Sequence, residues 1–429
     1  MEEHESTGRN KGIGESIGTE TNANGHELPT HWKRTIAIIW TGQAVSILAT
    51  CAATFAVLWY LTTTADSALM LAAAGVAALL PTALLSPFGG VVADRANKKA
   101  VMIAADGSAG AMSLVLAAVV AAGFAEPPLF LLLLAVRSAA QAFHGTSLMA
   151  LMPELVPERD MVRINTLDQV LSSASAIVGP VLGIALYTAF GFTIVLVADA
   201  LCALVACLCL AVVRLPYART LRQSTGTVMG DLREGLAVIA GDKAVRSLLV
   251  MVAVAMLLFL PLGTLSPLMT YDWFGGDGFA ASAVEAAAGI GLLVGSVGML
   301  VWGGGKRLVP VLVGAGMAIG AGCIVCGLLP KGAFPAFVGL IGFIFAATAL
   351  FNAPVIPLMQ KRVDPERFGR VMGLFGSMTT LASPVGLFIA GPAAEVLGVN
   401  RWFVVAGAIL VVAMALSAAS KRLRSLDEG

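Results

Sequence analysis

Apolar residues in this chain run in blocks of about 18 or more, each long enough to cross a bilayer core as a helix, and the blocks recur from one end to the other. Polar and charged residues collect in the short stretches between them. Twelve spans read out, near 35–62, 68–92, 100–122, 128–150, 166–189, 191–213, 245–270, 282–302, 309–329, 334–358, 370–397 and 401–420. The exception to the short connections is 214–246, which lies midway and divides the spans into six and six. The pattern predicts an all-α membrane protein of twelve transmembrane helices, with one six-helix bundle over 35–213, a linker over 214–244 and a second bundle over 245–420. Residues 1–34 and 421–429 read as tails. The first, polar and rich in Gly, Asn, Thr and Glu, is expected to be disordered and does not read as a removable signal peptide.

Composition sharpens this. Of the 429 residues 58% are hydrophobic and 12% charged, against about 25% charged in soluble proteins. Most of the surface is therefore solvated by something other than water. The net charge of +1 says little, because sign is sorted loop by loop. One set of loops holds Lys33/Arg34, Arg95/Lys98/Lys99, Arg159/Arg163, the 214–246 stretch, Lys306/Arg307, Lys361/Arg362 and Lys421/Arg422; the opposite set holds only Lys331 and Arg401. Basic loops stay on the cytoplasmic side, so both termini are expected in the cytoplasm and the chain in the plasma (inner) membrane. All six cysteines fall in apolar runs, and Cys323-x-x-Cys326, lacking a second pair, is not read as a metal or redox site.

The link between the second and third spans, Gly90-x-x-x-Asp94-Arg95-x-Asn97-Lys98-Lys99, crowds an acid and three bases into one tight turn. It resembles the loop motif Gly-x-x-x-Asp-Arg-x-Gly-Arg-Lys of the major facilitator superfamily. Asn97 stands where that motif has glycine, and Asn tolerates a left-handed backbone better than most residues. Gly298-x-x-x-Trp302-Gly-Gly-Gly305-Lys306-Arg307 repeats the pattern without the acid, and Pro157-Glu158-Arg159 recurs as Pro365-Glu366-Arg367. Both pairs share one offset, since 298 − 90 and 365 − 157 each equal 208. The halves therefore read as a duplication, the parallel six-helix plan with a binding site between the halves near midplane. Trp40-x-x-Gln43-x-x-Ser46, Leu151-Met-Pro-Glu-Leu-Val-Pro157 and Gly369-Arg370-Val-Met-Gly373 narrow the resemblance to the macrolide-efflux and enterobactin-exporter branch. By that resemblance Gly90, Asp94, Arg95, Lys98, Lys99, Lys306 and Arg307 are gating-loop candidates. Asp94 and Arg95 are expected to latch the cytoplasmic end against the other half when the cavity faces out.

In the fifth span, Ser175-x-x-x-Gly179-Pro180-x-x-Gly183-Ile184 resembles the antiporter motif of drug exporters. Gly179, Pro180 and Gly183 are expected to form a smooth, kinked face that packs on the opposing half. Ionisable groups inside spans point more sharply, because each costs at least about 2.5 kcal/mol facing lipid. Arg137, Gln141 and His144 share one face of the fourth span at i, i+4 and i+7; Gln43, Thr50 and Thr54 make an uncharged stripe on the first. Asp106 and Asp199 are acids within spans, and the proton affinity of such groups answers to burial and to any nearby cation. Arg137 and Asp199 lie at comparable depths and meet if their faces meet. Glu285 and Glu395 read as rim residues, which leaves the second half without deep charge. Its expected cavity wall is apolar and adaptable, from Met256, Phe259, Met269 and Phe351, with Asn352 beside the last.

No Gly-x-x-x-x-Gly-Lys-Ser/Thr loop occurs, so neither nucleotide-driven work nor an ATPase subunit is expected. The reading is a secondary transporter, not an enzyme, working in the bilayer as a single chain. It has no cofactor, no metal and no nucleic-acid partner, and it exports hydrophobic or amphipathic small molecules on the proton gradient. An exporter dedicated to a siderophore or other secreted metabolite, and a transport-inactive sensor or scaffold, keep the same fold.

Overall fold

The computed structural model describes residues 32–65, 67–124, 126–213, 237–305 and 307–427. The predicted tail over 1–31 and residues 214–236 of the linker lie outside them. Among the described residues there is no strand. The helices are α1 (Trp32–Ala65), α2 (Ala68–Arg95), α3 (Lys98–Ala121), α4 (Pro127–Leu155), α5 (Glu158–Phe190), α6 (Phe192–Val212), α7 (Lys243–Leu268), α8 (Gly278–Trp302), α9 (Leu308–Leu328), α10 (Phe334–Asn352), α11 (Val355–Gln360), α12 (Pro365–Leu397), α13 (Val399–Ala419) and α14 (Lys421–Arg424). A π turn, Met269–Trp273, continues α7. Read with the α7–π and α10–α11 continuations, twelve of these segments are long and apolar enough to span a bilayer. The outward faces need lipid: Leu300 and Val301 are each 83% exposed and Val396 85% exposed.

Duplication is visible in the packing. In the first half α2 lies on α4, α3 on both α4 and α6, and α1 on α5 and α6. In the second, α8 lies on α10, α9 on both α10 and α13, and α7 on α12 and α13. Each pairing has its counterpart six spans later. The halves then meet through α2 against α12 and α5 against α8, again a symmetric pair. Small residues permit the closest approaches, as membrane helices require. A Cβ on Gly291 of α8 would meet the Gly342 carbonyl oxygen of α10, and one on Gly407 of α13 would sit 2.5 Å from the Gly320 oxygen of α9.

Contacts between the halves gather at the end remote from the α2–α3 link. Ser67 donates to Glu395 Oε2 at 3.0 Å, and the Leu69 amide donates to the same oxygen at 3.0 Å. Trp59 and Tyr271 meet edge to face with ring centroids 5.8 Å apart. Gly391 faces Ala72, Gly75 faces Leu387, and Gly278 faces Ile184 and Trp59. Glu395, read from the sequence as a rim residue, is exposed near the end of its helix and from there ties two helices of opposite halves.

The α2–α3 link is built differently from the expectation. Asn97 has φ −70°, not a left-handed value, and its side chain caps α3 by accepting from the Ala100 amide at 3.2 Å. An N-cap oxygen satisfies a helix amide that has no intrahelical partner, so Asn replaces glycine here by capping. In the second half the left-handed backbone does occur, at Gly303, Gly304 and Gly305.

Candidate functional site

The polar residues inside the first bundle fall into two storeys. The outer storey lies on the side where the halves touch. Arg137 Nη1 of α4 sits 2.5 Å from Asp199 Oδ2 of α6 and donates as well to Ser113 Oγ of α3. Ser113 donates to Asp199 Oδ2 at 2.6 Å, and Thr50 of α1 donates to Asp199 Oδ1 at 3.2 Å. Four helices thus converge on one carboxylate. The Asp199 and Arg137 side chains are 4% and 15% exposed, so the pair is largely withdrawn from solvent. An ion pair so placed is tolerable only because it is bonded on several sides. Arg137 also lines a small pocket with Thr54, Leu133 and Leu196.

The inner storey is one heptad away on three of the same helices: Gln43 for Thr50, Asp106 for Ser113, His144 for Arg137. Seven residues of helix rise about 10 Å. Gln43 Nε2 donates to Asp106 Oδ2 at 3.5 Å, and His144 Nε2 lies 3.4 Å from Asp106 Oδ1. That last contact is electrostatic and out of line for a hydrogen bond, so His144 Nε2 stays buried without one, as do Ser147 Oγ and Trp40 Nε1. Ser113 was not singled out in the sequence, although its position seven residues beyond Asp106 on the same helix face marked it. Gln141, on the same face of α4 by spacing, is exposed and takes part in neither storey.

Other expected residues fall elsewhere. A Cβ on Gly179 would meet Cys51, and one on Gly183 would meet the Ala52 carbonyl oxygen, so both glycines face α1 of their own half. The seam with the opposing half is made instead by Ile177 against Gly289 and by Ile184 against Gly278. Ile184, the motif's departure from glycine, is wholly buried there. Phe351 and Met269 are 1% and 0% exposed in the second bundle's core, not on a cavity wall, while Asn352 is exposed. Phe259 does line a pocket, and Glu285 lines it too. That pocket removes Glu285 from the rim and gives the second half an interior acid.

Of the gating candidates, Arg95 is exposed in the last turn of α2, and Arg307 is exposed just before α9. The Asp94 side chain and Lys306 lie outside the described residues. Lys98 pairs with Glu154 at 3.0 Å, and Lys99 donates to the Ala211 and Val213 carbonyls at the end of α6. Both lysines therefore hold their own half together in this conformation. Gly90 is open, with nothing within 4 Å of a Cβ, whereas its neighbour Gly89 packs on Thr146.

The family model of the Major Facilitator Superfamily matches residues 39–387. The chain belongs to that superfamily. Macrolide efflux protein A of Streptococcus pyogenes is 30% identical over 404 residues, covering 94% of this chain and 99% of that protein. Multidrug efflux pump Tap of Mycolicibacterium fortuitum is 25% identical over 376 residues, 84% of this chain and 89% of that one. Among solved structures the nucleoside transporter NupG superposes with TM-score 0.71 at 14% identity, over 91% of this chain and 99% of the other. At that identity the likeness concerns the fold. This superfamily member is a multi-pass membrane transporter, and its relatives include macrolide and multidrug efflux proteins.

Proposed function

We propose that this transporter exports hydrophobic or amphipathic compounds, macrolides among them, from the cytoplasm across the plasma membrane in exchange for protons. The basic loops argue that the α2–α3 link, the linker and both termini are cytoplasmic. On that orientation the conformation is closed outside and open inside, since the ties between the halves gather at the remote end. Similarity to macrolide and multidrug efflux proteins supports the substrate class and direction.

The observation that carries the coupling is the Asp199 carboxylate held by Arg137, Ser113 and Thr50. A carboxylate paired with a cation stays charged; separated from it in apolar surroundings, it is driven to take up a proton. If rearrangement of α4 against α6 parts Arg137 from Asp199 in the other conformation, proton uptake is tied to the transport cycle. Asp106 with His144 offers a second station one heptad further in.

The test is accumulation of a labelled macrolide and a mixed compound panel in everted vesicles, with and without an uncoupler. Unmutated protein should concentrate substrate, and the uncoupler should abolish this. A well-folded Asp199→Asn should carry substrate only down its gradient. If Asp199→Asn still concentrates substrate with an unaltered response to the proton gradient, Asp199 is not the carrier, and His144→Gln becomes the decisive variant.

A further inference from the structure

At the end of the second bundle that carries the C-terminal residues, three chain segments surround an open bowl of about 360 Å³. Lys243 comes from the first turn of α7, Arg362 from the link between α11 and α12, and Arg422 from α14. One acid, Asp242, lines the bowl with them. Its Oδ1 already accepts from the Ala244 and Val245 amides at 2.7 and 3.1 Å, so that charge serves the start of α7. Among the described residues none of the three bases forms an ion pair.

The wall that carries Arg422 is fixed in place. Leu423 and Leu426 are 1% and 0% exposed, and Asp427 accepts from the Leu308 and Val309 amides at 2.8 and 3.1 Å at the start of α9. Arg362 donates to the Ser425 carbonyl, which ties the α11–α12 link to the same segment. The fold therefore gathers three like charges on one concave surface, an arrangement that repels itself until a counter-charge arrives. The first half supplies the contrast. At the repeat offset of 208, Arg362 answers to Glu154 and Lys243 to Thr35. Glu154 neutralises Lys98 at 3.0 Å. The second half thus has bases where the first has an acid and a hydroxyl, and its end is short of negative charge.

We propose that this bowl binds a phosphate group, either the headgroup of an anionic phospholipid or a soluble phosphate compound reaching the same three bases. Guanidinium forks match phosphate oxygens in pairs, and an ammonium adds a point charge. A phosphate offers oxygens in several directions, which suits donors from three segments better than a planar carboxylate does. Basic pockets at the ends of membrane helices take lipid headgroups on the same principle. The bound anion joins α7, the α11–α12 link and the C-terminal segment, and so steadies this end of the second bundle. Binding here does not depend on which compound is exported.

The experiment uses the purified full chain in neutral detergent. Phosphatidylglycerol, phosphatidylcholine and inorganic phosphate are added separately, with chloride at matched ionic strength as the control. Bound lipid is counted by native mass spectrometry, and the melting temperature is followed in parallel. If lipid is the source, phosphatidylglycerol binds about tenfold tighter than phosphatidylcholine and inorganic phosphate does not displace it. If the source is soluble, inorganic phosphate raises the melting temperature and chloride does not. In either case Arg362→Gln with Arg422→Gln should weaken the phosphate compound about tenfold or more, as loss of charge-assisted hydrogen bonds implies. Lys361→Gln with Lys421→Gln removes the same charge from adjoining exposed bases outside the bowl, and should weaken it less than about twofold. Equal losses in the two double variants, or no preference of the unmutated protein for either phosphate compound, overturn the site. Should the arginine variant fail to fold, Lys243→Gln decides, since that side chain makes no hydrogen bond or ion pair among the described residues. A loss of about threefold or more is expected there, and unchanged binding overturns the proposal.

Discussion

Arg137 and Asp199 are mutually dependent at the level of single side chains. Neither is balanced without the other, because Asp199 is 4% exposed and four helices have closed around it. Removing one member of a buried pair costs about 3–5 kcal/mol, whereas replacing both with apolar groups of similar size is often close to neutral. Arg137→Met alone and Asp199→Leu alone should therefore each lower thermal stability in detergent sharply, and the double substitution should recover most of the loss. Recovered stability without recovered uphill transport separates the folding role of the pair from its coupling role. Additive losses in the double variant would show that the two residues do not interact. Ser113→Ala belongs to the same cycle and should cost less, since it removes a hydroxyl bridge and leaves both charges in place.

Helix pairs in this protein are spaced by glycines, and the glycines differ in what they face. A Cβ at Gly295 would collide with the Ala346 carbonyl oxygen, whereas at Gly298, one turn further along α8, nothing lies within 4 Å. Gly295→Ala should force α8 from α10 at a cost of about 1–3 kcal/mol, the usual range for overpacking. Gly298→Ala should leave the melting temperature unchanged, making it the matched control. Gly90 is as open as Gly298. If the α2–α3 link docks on the other half only when the cavity faces out, Gly90→Ala should preserve stability in this conformation while slowing transport. Normal transport by Gly90→Ala would remove this glycine from the gate.

At the scale of the molecule, the two halves move against each other only if the ties between them break. Glu395 accepts from Ser67 and from the Leu69 amide across the seam. In a cysteine-free background, Ser67→Cys with Glu395→Cys joined by a short bifunctional thiol reagent should arrest transport, and cleaving the cross-link should restore it. Undiminished transport by fully cross-linked protein would mean that this end does not open. Orientation is checked separately: a cysteine replacing Ser224 should resist an impermeant thiol reagent outside intact cells, while one replacing Asp277 should react.

Whatever depends on composition and spacing along one chain is legible without a neighbour. Twelve spans, their division into halves and the offset of 208 are one-dimensional facts. Apolar length is set by bilayer thickness, and polar residues within a span must face protein or water. Spacing and polarity alone therefore mark Arg137, Asp106, Asp199 and His144 as candidates. Tertiary structure alone decided which faces meet. It closed Arg137 onto Asp199 through Ser113, turned Gly179 and Gly183 toward α1, buried Phe351 and brought Glu285 to the second pocket. A helix's sequence fixes the angle between its own side chains but not the helix's rotation about its axis. That rotation is set by packing against neighbours far away in the chain.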